Sequence, residues 1–307
     1  MTTQVDAIRE TLARAVVAAP VSHGALTVVP LHAPGLGSPD WLTLAEAGDA
    51  VTVTEVSDSG SVPTLNVTNA ADRPVLLFDG EELVGAKQNR ILNTTVLIAA
   101  KATATIPVSC VEQGRWSYRG RRSQASDYSL YASLRRKKAA RVSESLRDYG
   151  RHDSDQGEVW NDLADKAAFL RVESPTGAMH EVYDRYGEEM AAARDALAPA
   201  PEQIGAIAYV AGEWAGLELL PAPALFARAW PRISTGYVAD AIGRKAAGDL
   251  RITPADVMER VMAAALEPAP PVGLGVEYRL GGAQAVGAAL VVGDVVAHLV
   301  AFPAVAD

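Results

Sequence analysis

Residues 79–116 read DGEELVGAKQNRILNTTVLIAAKATATIPVSCVEQGRW, two polar clusters bracketing apolar, strand-like runs. Glu81, Glu82, Lys87, Gln88, Asn89 and Arg90 fall within ten positions, and Glu112, Gln113, Arg115 and Trp116 close the next pass of chain. Strands favour β-branched and aromatic residues on a pleated, half-buried surface, so this many long polar side chains call for a task. Alternation sorts them. Along 87–98 one face carries Gln88, Arg90, Leu92, Thr94, Val96 and Ile98, the other Lys87, Asn89, Ile91, Asn93, Thr95 and Leu97. The first face is apolar beyond Arg90 and is expected to meet the core, which places Gln88 and Arg90 at its mouth. Paired as a hairpin through Ala99–Thr103, the next strand would return Glu112 and Arg115 to the same place.

Outward from this stretch the pattern is strand after strand: Leu26–Leu31, Val51–Val56, Thr64–Thr68, Val75–Phe78, Glu82–Ala86, Ile91–Ala99 and Thr103–Val111. Short Gly, Pro, Asn and Asp clusters separate them, which favours antiparallel pairing. One such cluster is Ala33–Asp40. Before them, Ile8, Leu12, Val16 and Val17 stand at helical spacing, and Trp41–Ala47 reads as a brief helix. From Ser123 to Leu197 the strand signal fades and apolar residues recur with helical period. Tyr131, Leu134, Val142 and Leu146 mark one helix, and Val159, Trp160, Leu163, Ala167 and Leu170 a second. A third is expected to open at Ser174-Pro175 and run to Leu197. Strands return at Ala206–Val210 and Glu213–Leu219, a helix spans Ala222–Arg244, and Thr253-Pro254 opens another. Strands at Val272–Leu280, Ala285–Val292 and Val295–Phe302 close the chain.

The fold class expected is therefore α+β: an antiparallel strand-rich region with an N-terminal helix (1–122), a helical segment (123–201) and a mixed strand and helix region (202–307), packed as one compact unit or as two lobes. VLLFDGEELVGAKQ (75–88), IAYVAGEWAGLELL (207–220) and LVVGDVVAHLVAF (290–302) echo one another as strand, Gly-acid, strand. They read as three hairpins, or as the trace of an old duplication.

The 307 residues suffice for an ample core, and 49% apolar with 21% charged content is ordinary for a globular chain. A net charge of −9 opposes general nucleic-acid or membrane-surface binding, which needs a cationic face. One segment departs from that balance. Residues 119–151 hold ten Arg and Lys against Asp127, Glu144 and Asp148, a net +7, so the remainder carries −16. Such asymmetry fits a patch for phosphates or an acidic protein partner, or simply a solvated helix face. Cys110 is the only cysteine, so no internal disulfide forms, and a lone thiol suits a reducing compartment. With no signal-peptide pattern at the start and no apolar run of about 18–20 residues, a soluble cytoplasmic protein is expected. His23, His32, His152, His180 and His298 stand at no metal-ligand spacing, and no GxGxxG, Walker or GxSxG motif occurs. No cofactor is named by these residues.

Arginine offers five donors suited to phosphate or carboxylate, and tryptophan a stacking face. Arg90 and Arg115 are thus expected to hold an anion and Trp116 to wall the pocket. Glu81, Lys87, Gln88, Asn89 and Gln113 complete the binding group, and Glu82 and Glu112 are candidate bases. The competing reading pairs Arg90 with Glu112 in a structural ion pair and leaves Trp116 in the core. Three functions compete: binding of a small anion, docking of an acidic partner through 119–151, and a structural homo-oligomer subunit.

The strings Gly80-Glu81-Glu82-Leu83-Val84-Gly85-Ala86-Lys87-Gln88-Asn89-Arg90 and Ile106-Pro107-Val108-Ser109-Cys110-Val111-Glu112-Gln113-Gly114-Arg115-Trp116, with Gln156–Trp160, Ala206–Leu220, Phe226 and Trp230, resemble a specific family. It is the domain named for its association with ADP-ribosylglycohydrolases and rhodanese-type phosphatases. The resemblance implies a shared fold over most of the chain and marks the polar residues of 81–116 as motif positions. Its associations suggest a nucleotide or ADP-ribose-like ligand.

Overall fold

Why the strands pair as they do is clearest in the computed structural model, which describes residues 3–33 and 38–305; half of the turn expected at Ala33–Asp40, residues 34–37, lies outside the described residues. The fold is α+β. The chain forms two compact units, one built from 1–39, 191–271 and 275–307, the other from 40–190 and 272–274. The serial division at 122 and 201 follows residue texture, whereas the two units follow strand pairing between distant segments.

In the first unit the order across a sheet of antiparallel pairs is Val16–Val17, Leu26–His32, Gln203–Val210, Glu213–Leu219, Val295–Pro303, Ala285–Val292, Val276–Gly281 and Ala265–Ala269; Val21–His23 also pairs with Leu26–His32. One face carries Val29, Leu31, Ile207, Tyr209, Leu217 and Leu219, packed with Ile8 and Leu12 of the helix Gln4–Arg14 and Val257 and Val261 of the helix Pro254–Met262. Both helices begin at a Thr–Asp capping box, Thr3 with Asp6 and Thr253 with Asp256, so the sequence signal for their starts is mechanistic. Glu218 alternates onto the other face, where it meets Tyr237 of the helix Pro223–Ala241: the Tyr237 hydroxyl donates to its Oε1 at 2.8 Å, and His298 Nε2 lies 2.8 Å from Oε2.

The second unit is organised around a closed six-stranded antiparallel barrel. Its order is Thr103–Cys110, Thr64–Asn69, Val51–Glu55, Arg122–Ser129, Glu81–Gly85, Arg90–Leu92 and back to Thr103–Cys110. Val51, Val53, Leu65, Val67, Leu83, Leu92, Ile106 and Val108 fill it. A small sheet of Val96–Ile98, Val75–Leu77 and Leu42–Thr43 adds to the same core. The helices Ala132–Tyr149, Gln156–Leu170 and His180–Arg185 follow. Among the described residues no helix is long and apolar enough to cross a membrane.

Several expectations are corrected. The first helix stops at Arg14, and Val16–Val17 is a short strand, as fits two adjacent β-branched residues. Ile91–Ala99 is two strands broken at Asn93–Thr95, and the second pairs with Val75–Leu77 instead of continuing a hairpin with Thr103–Cys110. Residues 123–197 are not devoid of strand: Arg122–Ser129 (RSQASDYS) is the barrel stave that small buried serines kept from reading as one. No helix opens at Ser174-Pro175. Ser174 Oγ instead accepts from the Ala178 amide at 2.7 Å across a turn, and separate helices begin at His180 and Gly187. Ala265–Ala269 is an unexpected strand, and the strand expected at Val272–Leu280 begins at Val276. Of the three echoes, 207–220 and 290–302 are hairpins. The first is not, because Val75–Leu77 and Glu81–Gly85 join different sheets.

Candidate functional site

The barrel interior turns polar at one end, and strand register decides which side chains arrive there. Arg90 lies opposite both Leu83 and Cys110, so it points inward as they do. Val51, Val53 and Glu55 alternate on one inward face, and all three are buried. The barrel lining therefore ends in an arginine and a glutamate where aliphatic residues would continue it.

Arg90 is only 1% exposed, yet its Nη1 alone finds a partner, Gln88 Oε1 at 2.8 Å. Its Nε and Nη2 are buried without hydrogen-bond acceptors, and Glu55 Oε2 is a buried acceptor without a donor. A buried unpaired donor costs about 1–3 kcal/mol, more when charged, so these atoms need an explanation. Burial pushes the Arg90 guanidinium below its ordinary range, against the opposing pull of Cys110 and Glu55. Arginine nevertheless remains charged in proteins.

Around these atoms stand Lys87, Trp116 and Tyr118. The Arg90 guanidinium carbon lies 5.5 Å from the Trp116 ring centroid, and Lys87 Nζ lies 5.2 Å from it and 5.1 Å from the Tyr118 ring. Lys87 Nζ donates to the Ser59 carbonyl at 2.6 Å, tying it to the loop between Val51–Glu55 and Thr64–Asn69. Gly60 tops that loop at φ +78°; a Cβ there would lie 3.1 Å from Lys87 Cδ and 3.2 Å from both Glu55 Oε2 and Trp116 Cζ2. Lys87, Glu55 and Trp116 thus converge beneath one glycine. Trp116 is 46% exposed, so it is not the core residue of the competing reading.

A second set of residues supports this floor. Arg115 Nη1 donates to the carbonyls of Ala86 (2.9 Å) and Ser117 (2.8 Å), and its Nη2 to Asn89 Oδ1 (3.1 Å) and Glu112 Oε2 (2.6 Å). Glu112 also accepts from the Asn89 amide at 3.1 Å and from Thr176 at 3.1 Å, while the Gln88 amide nitrogen donates to its carbonyl at 2.9 Å. Burial alone would raise the Glu112 carboxyl, but the Arg115 and Asn89 hydrogen bonds and the Arg115 charge hold it below the usual range. Glu112 is therefore ionised and occupied near neutrality, a poor base. Its short ion pair is with Arg115, and Arg90 instead bonds Gln88. Ala86, held between these bonds, has φ +40°, costly for a residue with a Cβ and of the kind found where backbone is constrained for a task.

The other expected residues are elsewhere. Glu81 Oε2 accepts from the Phe78 amide at 3.1 Å and stabilises the turn at Asp79-Gly80. Gln113 is exposed and lines a separate cavity of about 50 Å³ with Trp160, Leu163 and Met179. Glu82 is buried on the barrel's outer side, and its Oε2 lies 2.8 Å from His180 Nδ1. That hydrogen bond raises the His180 pKa, burial opposes it, and the Glu82 charge reinforces it. Tyr128 packs edge-on against the same imidazole at 5.2 Å.

The basic segment is largely consumed inside the unit. Arg135 and Lys138 are buried, and both contact Asp79, Arg135 Nε at 3.1 Å. Lys138 Nζ also donates to the carbonyls of Leu92 and Asn93, each at 3.0 Å. Lys137 pairs with Asp162, Arg141 with Glu144 and Glu158, and Arg151 with Asp153. Among the described residues no group of three or more His, Cys, Asp or Glu is placed to hold a metal ion.

The motif strings that supply this floor belong to a pattern matched over residues 14–302 by the model of the ARG and Rhodanese-Phosphatase-superfamily-associated Protein domain, ARPP-1. The chain belongs to the ARPP-1 family. No curated protein and no solved structure matches it. Within this ARPP-1 chain, sequence reading named Lys87, Arg90 and Trp116, which the structure brings together, considered His180 only as a metal ligand, and did not single out Glu55, Gly60 or Tyr118. Glu55 alone carried a usable signal, an acid at the inward position of the alternation Val51, Val53, Glu55.

Proposed function

We propose that the barrel unit binds a small anionic ligand, with nucleotides and ADP-ribose-like phosphate compounds the first class to try. The observation that carries this reading is Arg90: a buried guanidinium with two nitrogens lacking acceptors, set beside Lys87 and against the Trp116 ring. A phosphate or carboxylate would satisfy both nitrogens bidentately. Arg90 and Lys87 bind the anion, Trp116 offers its exposed surface for stacking, and Gln88 orients Arg90. Arg115, expected from sequence to share the anion, acts as a brace whose two terminal nitrogens are spent on carbonyls, Asn89 and Glu112. The arrangement supports binding rather than turnover, since Glu112 is held ionised by Arg115 and Glu82 faces His180 outside the barrel. Docking of an acidic partner through 119–151 draws less support, because Arg135 and Lys138 are buried against Asp79.

A thermal-shift panel of ATP, ADP-ribose, NAD and inorganic phosphate on the parent and on Arg90→Met tests the reading. A ligand at 100 times its dissociation constant adds about 2.7 kcal/mol, which moves the midpoint of a chain this size by several degrees. The shift is expected in the parent and absent in the variant. A panel without effect on the parent, or a shift that survives Arg90→Met, defeats it.

A further inference from the structure

The anion reading leaves Glu55 unexplained. A carboxylate beside an anion site repels the ligand, and a buried one whose Oε2 has no donor is costly on its own. Glu55 Oε1 accepts from the Lys87 backbone amide at 3.3 Å, which fixes the side chain and leaves Oε2 3.2 Å from where a Cβ of Gly60 would stand. Two unmet needs of opposite kind thus lie at the same polar end of the barrel: acceptors for Arg90 Nε and Nη2, and a donor for Glu55 Oε2.

We propose, resting on the anion reading above, that the ligand is a hydroxylated phosphate of the sugar-phosphate type, whose phosphate meets Arg90 and Lys87 and whose hydroxyl donates to Glu55 Oε2. A single molecule then satisfies all three orphaned atoms. A hydroxyl is the donor that a sugar phosphate carries on its own carbon chain, and one hydroxyl gives Glu55 Oε2 the single hydrogen bond it needs. Trp116 walls the pocket, as an apolar ring face suits the C–H surface of a sugar as well as a base. The 57–61 loop packs against these residues. Lys87 Nζ holds the Ser59 carbonyl at 2.6 Å and the Tyr118 hydroxyl donates to the Asp58 carbonyl at 3.3 Å. A phosphate that takes over the Lys87 ammonium replaces the first of these bonds, so entry exchanges one contact for another. Gly60 belongs to the same arrangement. A Cβ would crowd Lys87, Glu55 and Trp116 at once, in a backbone conformation that side chains rarely adopt.

The experiment compares glycerol 3-phosphate with propyl phosphate by calorimetry on the full chain, using inorganic phosphate as reference and repeating the pair on Glu55→Gln and Arg90→Met. The two esters share a phosphate and a three-carbon chain, and differ in hydroxyls. In the parent, glycerol 3-phosphate is expected to bind about tenfold tighter or better, the scale of one hydrogen bond to a charged group. In Glu55→Gln that preference collapses while propyl phosphate binds at least as well as in the parent, because a repelling charge is gone. Arg90→Met loses both. Equal binding of the two esters in the parent, with Arg90 still required, overturns the hydroxyl inference and leaves the anion reading standing. Absence of binding by all three probes, or binding that persists without Arg90, brings down both. The parent comparison alone decides the matter should Glu55→Gln fold poorly.

Discussion

Two clusters of buried charge lie in the barrel unit, and they differ in what surrounds them. At Asp79 the carboxylate meets Arg135 and Lys138, and Lys138 also reaches two carbonyls. At Arg90 one nitrogen is bonded and two are not, and the nearby Glu55 Oε2 has no donor. At Asp79 both carboxylate oxygens are met by cations, whereas at Glu55 one oxygen has no donor. A buried carboxylate held by two cations is part of the framework, because removing one member strands the others. An incomplete cluster lowers stability until something else completes it, which is the signature of a site.

Removing one charge from each cluster puts this contrast at risk. Asp79→Ala strands two buried cations and is expected to cost about 3–5 kcal/mol, read from urea unfolding; a cost below about 1 kcal/mol would mean that the cluster is not structural. Arg90→Met removes unsatisfied donors while keeping an unbranched side chain, so its unfolding free energy should stay within about 1 kcal/mol of the parent or rise, even as every anion-induced thermal shift disappears. A large destabilisation would place Arg90 among the framework ions.

Acid tests the carboxylates that are held by cations. Asp79 and Glu112 both titrate below their ordinary values of 3.8 and 4.5. For Asp79, burial raises the carboxyl and the charges of Lys138 and Arg135 outweigh it. Carboxyls with lowered folded pKa contribute stability that is complete above the unfolded value and lost as pH falls through the folded one. Urea midpoints should therefore decline below about pH 4.5, and less steeply in Asp79→Asn. An identical slope in parent and variant would remove Asp79 from the account. The smallest effect concerns His180, whose pKa is raised from 6.5 chiefly by the Glu82 hydrogen bond. Its contribution is present below 6.5 and fades as pH rises through the higher folded value. An NMR titration should show that raised value in the parent and a lower one in Glu82→Gln; no difference between them would mean that Glu82 does not set it.

Individual barrel strands were legible in sequence because period-2 alternation survives in Val51–Glu55, Thr64–Asn69 and Thr103–Cys110, but their closure into a barrel was not. The same rule placed Arg90 on the core face of its strand. What escaped was of two kinds. Arg122–Ser129 uses buried Ser123, Ser126 and Ser129 where strands usually place larger side chains, and such residues signal turns as often as sheets. The basic segment read as one feature, yet Arg135 and Lys138 face inward to Asp79 while Arg141 and Arg151 pair near the surface. Composition counts charges without regard to helix face, and partners 56 and 59 residues distant are invisible to local pattern. The same limit explains why Arg115 looked like a ligand contact. Its acceptors include carbonyls, which every sequence has and none displays.

The interleaving of the two units along the sequence has a consequence for the growing chain. Leu26–His32 emerges early, but its sheet neighbour Gln203–Val210 and the strand Val295–Pro303 beyond are made much later. All six barrel strands lie between 51 and 129, so their pairing can proceed while the other sheet still lacks most of its members. During synthesis at about 5–20 residues per second, the barrel strands are complete for seconds before the last strand of the larger sheet leaves the ribosome. The N-terminal segment waits in that interval with an unpaired edge, and its exposure to chaperones or to a neighbouring nascent chain is written into the order of the strands.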